Sequence, residues 1–230
     1  MNVNVIILGA GRGARLKKFT KNKPKILLKF INKNLLKWKL DVLNKIKIIN
    51  KIYIVCGYQK KKLEKYENKK IKLIVNKYWK NTNMLYSLFL ARNILNKNRR
   101  VIISYGDIIY EKKILDKLLK SRCDISVVID KNWRQLWSFR FKNIISDAET
   151  LKINKKNYIT EIGNRPKDLK SIDGQFIGLI SLNKRGVNKI LDFWDNSSDY
   201  DSWTNKKKLK DIYTTDIIMG LIKNGTKIKA

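Results

Sequence analysis

At 230 residues, 43% of them hydrophobic, the chain is long enough to bury a core and too apolar to be disordered. Its net charge of +33, from 52 basic and 19 acidic residues, raises the question of a nucleic-acid or acidic-membrane partner. The lysines run through every segment and far outnumber the arginines, which fits a compositional bias better than the clustered footprint of a polyanion-binding surface.

The absence of histidine removes that side chain from general-base, nucleophile-activating and metal-ligand roles. Cys56 and Cys123 sit in apolar, strand-like surroundings without CxxC spacing, which argues against zinc and for reduced buried thiols. No apolar run approaches the roughly 20 residues of a membrane helix, and the N-terminus has no basic leader. The expectation is a cytoplasmic protein without a membrane partner.

In chain order, Val3–Leu8 is short, apolar and β-branched and reads as a buried strand. Leucines and isoleucines at helical spacing predict a helix over Leu35–Lys47. A second strand over Lys51–Cys56, a short helix over Lys60–Tyr66 and a third strand over Ile71–Val75 follow. Met84–Leu95 predicts a helix, Val101–Ser104 a fourth strand, Ile114–Lys120 a helix and Ile125–Ile129 a fifth strand. This alternation suits βαβ crossovers and a mostly parallel sheet covered on both faces. Beyond Asp130 the pattern changes. Ala148–Ile162 reads as short strands broken by turns, Gln175–Ile180 as a strand and Lys184–Trp194 as a helix, together an antiparallel insertion with a helical cover. There is no repeat or linker, so the prediction is one domain of class α/β, with a nucleotide-binding half (1–130) and an acceptor-binding half (131–230).

Gly9-Ala10-Gly11-Arg12-Gly13 follows the first strand, and Arg15, Lys21, Lys23 and Lys25 come after it. Such a loop between a strand and a helix can present backbone N–H groups to phosphate; it can equally be only a tight turn. No GK[ST] closes it as a P-loop. Its GxGxG spacing, with no acid ending the second strand, is not the dinucleotide fingerprint.

The longer pattern, Gly9 through Leu16 with Thr20, Pro24-Lys25 and Leu27-Leu28, resembles the signature of the nucleotidyltransferases that activate phosphorylated sugars and alcohols. Gly9 stands where that family more often has alanine. The resemblance implies a Rossmann-like three-layer α/β/α fold with a mostly parallel mixed sheet. It implies that Leu8, Gly9, Ala10, Gly11 and Gly13 wrap a nucleoside triphosphate, and that Arg15 and Lys25 neutralise it as pyrophosphate departs. Lys21 and Lys23 read as background. A transfer of this kind rests on positioning and charge neutralisation and needs no protein nucleophile, so the lack of histidine is no obstacle.

Asp107 ends the fourth strand, at the sheet edge where ligands bind, although aspartate also suits a helix N-cap. It matches the family's metal aspartate, which implies Mg²⁺ held by carboxylate and phosphate oxygens. The family's second metal aspartate follows a strand like Asn224–Ala230, where this sequence stops. The expectation is a truncated C-terminus or incomplete metal binding.

Gly57-Tyr58 and Asn81–Leu88 resemble base-recognition elements of the cytidylyl-transferring branch, including bacterial choline-phosphate cytidylyltransferases. Gly57, Tyr58, Asn83 and Ser87 are therefore expected at the base and ribose of CTP. The plainer reading makes Asn83 a helix cap and Ser87 a small packing residue.

Ile129–Phe141, Asp147–Lys152, Ser104–Tyr110, Ile162-Gly163 and Gly174–Leu179 closely resemble the phosphoglutamine cytidylyltransferases of bacterial capsule phosphoramidate synthesis. That resemblance implies coupling of CTP to L-glutamine phosphate, giving CDP-L-glutamine and pyrophosphate. Trp133, Arg134, Trp137 and Arg140 would wall and charge-complement the acceptor, and Glu149 or Glu161 would receive its ammonium. The alternative is a packed aromatic cluster with surface arginines. Asp211 and Thr214-Thr215-Asp216 resemble a family helix start, with Thr215 and Asp216 read as capping residues.

Other acceptors in view are phosphocholine, 2-aminoethylphosphonate and a sugar 1-phosphate. An inactive ligand-binding relative is a further alternative. The non-enzyme alternative, from charge alone, is a nucleic-acid-binding protein; no nucleic-acid partner is expected, and a homo-oligomer is left open.

Overall fold

The computed structural model describes residues 2–96, 100–196 and 212–230. Strand β1, Val3–Leu8, is buried along its whole length. Its side chains alternate between two cores: Ile6 and Leu8 enter one, Val5 and Ile7 the other. A run buried on both faces is what a central parallel strand requires.

The glycine loop after β1 does not lead into an α-helix. It enters a 3₁₀ segment, Ala14–Thr20, kinked at Lys17, and a second 3₁₀ turn follows at Lys25–Leu27. A small hairpin of β2 (Lys29–Phe30) and β3 (Lys33–Asn34) comes next. The first α-helix, α1, spans Leu35–Asn44, where the Asn34 side chain accepts from the Lys37 N–H (2.8 Å). The loop therefore has backbone amides to offer a ligand but no helix dipole directly behind it.

Strand β4 (Ile49–Cys56), helix α2 (Lys61–Glu64) and strand β5 (Ile71–Val75) follow. The helix expected over Met84–Leu95 is broken at Leu90-Ala91 into α3 (Met84–Phe89) and α4 (Arg92–Asn96). Then come β6 (Arg100–Tyr105), α5 (Lys112–Lys120) and β7 (Ile125–Asp130). Trp133–Arg140 forms a helix, α6, that the strand-and-turn reading of this half did not include.

Strands β8 (Leu151–Ile153) and β9 (Ile159–Ile162) make a separate antiparallel pair. The next strand, β10 (Gln175–Asn183), runs three residues past its expected end. It is not part of a peripheral insertion but lies inside the main sheet, antiparallel to both β6 and β7. Helix α7 (Lys184–Asn196), helix α8 (Thr214–Lys223) and strand β11 (Ile228–Lys229), parallel to β7, complete the described elements.

The sheet order is β11-β7-β10-β6-β1-β4-β5, and all strands but β10 point one way. Leucines of α3, α4, α7 and α8 pack on one face, and those of α1, α2 and α5 on the other. This is a Rossmann-like α/β/α sandwich. A division at residue 130 does not divide the sheet, because β7 lies beyond β10. Among the described residues no helix is long and apolar enough to cross a membrane.

Candidate active site

Strands β4, β1 and β6 are neighbours, so the loops leaving their carboxyl ends meet at one edge. Backbone hydrogen bonds tie them: Gly9 N–H donates to Val55 O (2.9 Å), Gly106 N–H to Leu8 O (2.9 Å) and Tyr58 N–H to Ala10 O (3.0 Å). A cleft of about 180 Å³ opens there. Leu8, Gly9, Ala10, Gly11, Gly13, Lys25, Asn83, Ser87 and Asp107, separated by up to 99 residues, all line it. Gly57, Tyr58 and Arg15 are not among its lining residues.

Gly13 has φ +76°, and a side chain there would press on the Lys25 stem, 3.0 Å away. The glycine lets the loop lie directly on Lys25. The Lys25 ammonium is ion-paired with Asp107, and each side chain is about one-third exposed. Arg15 is turned away from the cleft, with its guanidinium 3.8 Å from Asp147 and its side chain 89% exposed. A pair that long and that exposed holds an arginine weakly.

On the side of the cleft formed by α3, sequence reasoning missed three residues. Trp79 lines the cleft, its ring 5.0 Å from that of Tyr58 and tilted by 58°. Arg12 lies over the other ring of this pair, 5.6 Å from the Tyr58 centroid, and the Tyr58 hydroxyl donates to Lys21 O. Asn76 donates to Thr82 Oγ1 and to Ser87 Oγ, both at 3.0 Å. The Ser87 hydroxyl in turn donates to Asn83 O (3.2 Å). The Asn83 side chain caps α3, accepting from Leu85 and Tyr86 N–H, and donates to Ile212 O. In this structure Asn83 and Ser87 thus frame the cleft through their protein partners. A hint of Trp79 was available in sequence: an aromatic residue just after a strand end and before the Asn81–Leu88 stretch.

Gly57 sits under Trp79, where an added Cβ would lie 2.4 Å from the tryptophan Cβ. Rotating the ring cannot relieve that clash. Gly57→Ala is therefore expected to shift Trp79, cost about 1–3 kcal/mol of stability and weaken nucleotide binding. Thermal unfolding and a nucleotide titration check both effects.

A second, larger cleft of about 1100 Å³ shares Lys25 and Asp107 with the first and runs past Tyr105 and Phe176 to Trp137 and Arg140. Arg140 lies 5.2 Å from the Trp137 ring centroid and 3.9 Å from Asp147. Asp147 thus stands between Arg15 and Arg140.

The remaining acceptor candidates lie elsewhere. Trp133 is 1% exposed, packed with Ala148, Ile172 and Trp137, so its ring is core rather than a cleft wall. Arg134 lies over it, on the outer surface. Glu149 meets Gln175 through its backbone on both sides. Glu161, on β9, accepts from Asn164 Nδ2 (3.2 Å). Neither glutamate lines either cleft. Asp216 accepts from the Tyr213 N–H (2.7 Å) and caps α8; Asp211 lies outside the described residues.

Behind the Asp107 turn is a residue that sequence reasoning passed over among the many lysines. Lys39, on α1, is 2% exposed; its Nζ donates to Ile108 O (2.5 Å) and lies 5.1 Å from the Tyr110 ring centroid. Burial draws its pKa down from 10.5 to about 7, with the Asp107 charge opposing. Above pH 7 the folded chain holds this lysine neutral while the unfolded chain still binds the proton, so unfolding takes up a proton and stability rises with pH. Relative to Lys39→Met, the native chain is expected to gain stability between about pH 7 and pH 10, as read by urea unfolding across that range.

Among the described residues no cluster of three or more Cys, Asp or Glu side chains could enclose a metal ion. A lone carboxylate beside a loop of backbone amides suits an ion whose other ligands are phosphate oxygens and water, the preference of Mg²⁺.

Comparison with known proteins places the chain. The family profile of the MobA-like NTP transferase domain matches residues 5–160. The CTP:phosphoglutamine cytidylyltransferase of Campylobacter jejuni is 33% identical over 99% of this chain and 91% of its own length. The choline-phosphate cytidylyltransferase of Streptococcus pneumoniae is 36% identical over 40% of this chain and 41% of its own length. Among solved structures, the CTP:phosphocholine cytidylyltransferase of Streptococcus pneumoniae has a TM-score of 0.72 at 21% identity, covering 100% of this chain and 89% of that one. The inositol-1-phosphate CTP transferase of T. maritima also scores 0.72 at 21% identity, over 98% of this chain and 83% of that one; both share the fold. With its glycine loop, Lys25 and Asp107 gathered at the carboxyl edge of the sheet, the chain belongs to the MobA-like NTP transferase family and is a nucleotidyltransferase.

Proposed function

We propose that the chain is a cytidylyltransferase that moves CMP from CTP to a small phosphorylated acceptor bearing an amino group and releases pyrophosphate. The observation that carries this reading is the pair of clefts meeting at Lys25 and Asp107. An in-line displacement needs the nucleotide on one side of the reacting phosphorus and the acceptor phosphate on the other. The small cleft, with its amide-rich loop, suits the nucleotide. The larger one, ending at Trp137 and Arg140, suits an anionic acceptor.

Trp79 and Tyr58 give an aromatic wall on the base side. The loop amides and Lys25 offset the triphosphate charge. Arg15 reaches the triphosphate by leaving its exposed contact with Asp147, and Asp107 would hold Mg²⁺ together with phosphate oxygens. Bound there, the ion would neutralise phosphate charge as pyrophosphate leaves. The acceptor phosphate is already ionised, so no general base is required of the protein.

L-Glutamine phosphate is the first choice of acceptor, giving CDP-L-glutamine for surface polysaccharide modification. The support is 33% identity over nearly the whole chain to an enzyme with that name. Phosphocholine is the runner-up, on the shorter match to a choline-phosphate enzyme.

The test measures pyrophosphate release with Mg²⁺ and each of CTP, UTP, ATP and GTP against glutamine phosphate, phosphocholine, 2-aminoethylphosphonate and sugar 1-phosphates. Release confined to CTP with an amino-bearing acceptor is expected. No release with any pair would sink the proposal, and release only with UTP and a sugar phosphate would move it to another branch.

A further inference from the structure

The turn that carries Asp107, residues 106–111, is neither strand nor helix. Besides the ion pairs of Asp107 with Lys25 and of Glu111 with Lys113, three contacts hold it: Gly106 N–H to Leu8 O at its start, the Tyr110 hydroxyl to Ser104 Oγ (3.5 Å) at its end, and Lys39 Nζ to Ile108 O in its middle. The middle contact is the unusual one. Lys39 comes from α1, 68 residues before Asp107 in sequence, and its amine is enclosed in the core beneath the turn.

A buried amine, charged or neutral, is costly in apolar surroundings. The Ile108 carbonyl offsets only part of that cost. An apolar side chain of the same length would fill the space without it. A polar amine there is therefore not explained by packing alone, and its acceptor is the residue next to Asp107.

We propose that Lys39 is a positioning residue for Asp107: donating from behind the turn to Ile108 O, it fixes the backbone that carries the carboxylate to the junction of the two clefts, for a divalent ion. This rests on the reading of Asp107 as the metal carboxylate. Two variants separate the parts of the role. Lys39→Met removes the donor, and Lys39→Gln keeps one on a shorter side chain.

The experiment titrates Mn²⁺ with CTP into the native chain and both variants, following unbound Mn²⁺ by electron paramagnetic resonance. Turnover at varied Mg²⁺ and CTP, and thermal unfolding, are measured in parallel. Lys39→Met is expected to unfold at the same or a higher temperature than the native chain and yet bind Mn²⁺ at least about 5-fold more weakly. Its kcat is expected to fall about 10-fold or more while KM for CTP changes less than about 3-fold. Lys39→Gln is expected to fall between the two.

Metal affinity and kcat within 2-fold of native in a folded Lys39→Met would overturn the assignment. So would a variant less stable than native whose activity falls only with its folded fraction, and so would failure of both variants to fold, since either makes the lysine merely structural. If the native chain releases no pyrophosphate with any substrate pair, the functional proposal fails on its own, and the Mn²⁺ titration still decides the role of Lys39.

Discussion

Asp107→Asn is expected to lower turnover by about 10²–10³-fold, the range seen when one preorganised electrostatic contact to a transition state is lost. The substitution keeps size and hydrogen-bonding capacity and removes the charge that draws a divalent ion to the junction of the clefts. The Asp107 side chain is about one-third exposed, so the fold should tolerate the change within about 0.5 kcal/mol. Steady-state pyrophosphate release at rising Mg²⁺, with thermal unfolding as control, checks both statements. A rate within 3-fold of native at ordinary Mg²⁺ would reject Asp107 as the metal carboxylate.

Lys25→Met is expected to cost about 10²-fold in kcat, with a smaller effect on KM for CTP. Among the described residues Lys25 is the one cation that lines both clefts and pairs with Asp107, which puts it where the proposed transfer would gather charge as pyrophosphate leaves. Lys25→Arg should not restore the rate. The lysine stem lies against Gly13 at 3.0–3.1 Å from where a Cβ would be, which leaves little room for a broad guanidinium, and a planar fork does not replace a point charge. Single-turnover measurements separate loss of chemistry from loss of binding. An unchanged single-turnover rate in Lys25→Met would reject the assignment.

Sequence carried most of the sheet, because buried parallel strands such as Val3–Leu8 write themselves as unbroken apolar runs. The loop and Asp107 stand out at strand ends, while Lys25 was singled out only by the longer pattern's resemblance to the nucleotidyltransferase signature; the structure brings all three to one cleft. Sequence failed where tertiary context decides. Trp133 and Trp137 look alike in sequence, yet one is core and the other borders a cleft. Their i, i+4 spacing, with Arg134, Gln135 and Leu136 between them, suits the helix α6. Lys39 was invisible because nothing local separates one lysine of a basic helix from its neighbours; only the packing of α1 under the Asp107 turn does. The place of β10 was hidden for a similar reason, since strand direction is a property of the sheet and not of the segment.

That place has a consequence for the order in which the chain assembles. Strands β1, β4, β5 and β6 pair with one another using residues up to 105. Strand β7 has no partner among them; its neighbours are β10 and β11, made 45 or more residues later. During synthesis, the outer flank of β6 therefore stays an open sheet edge, and the apolar face of β7 stays unpaired, until Gln175–Asn183 emerges and wedges between them. One late strand closes the template of the first half and recruits the second, so the nucleotide cleft can take shape before the acceptor cleft has its far wall.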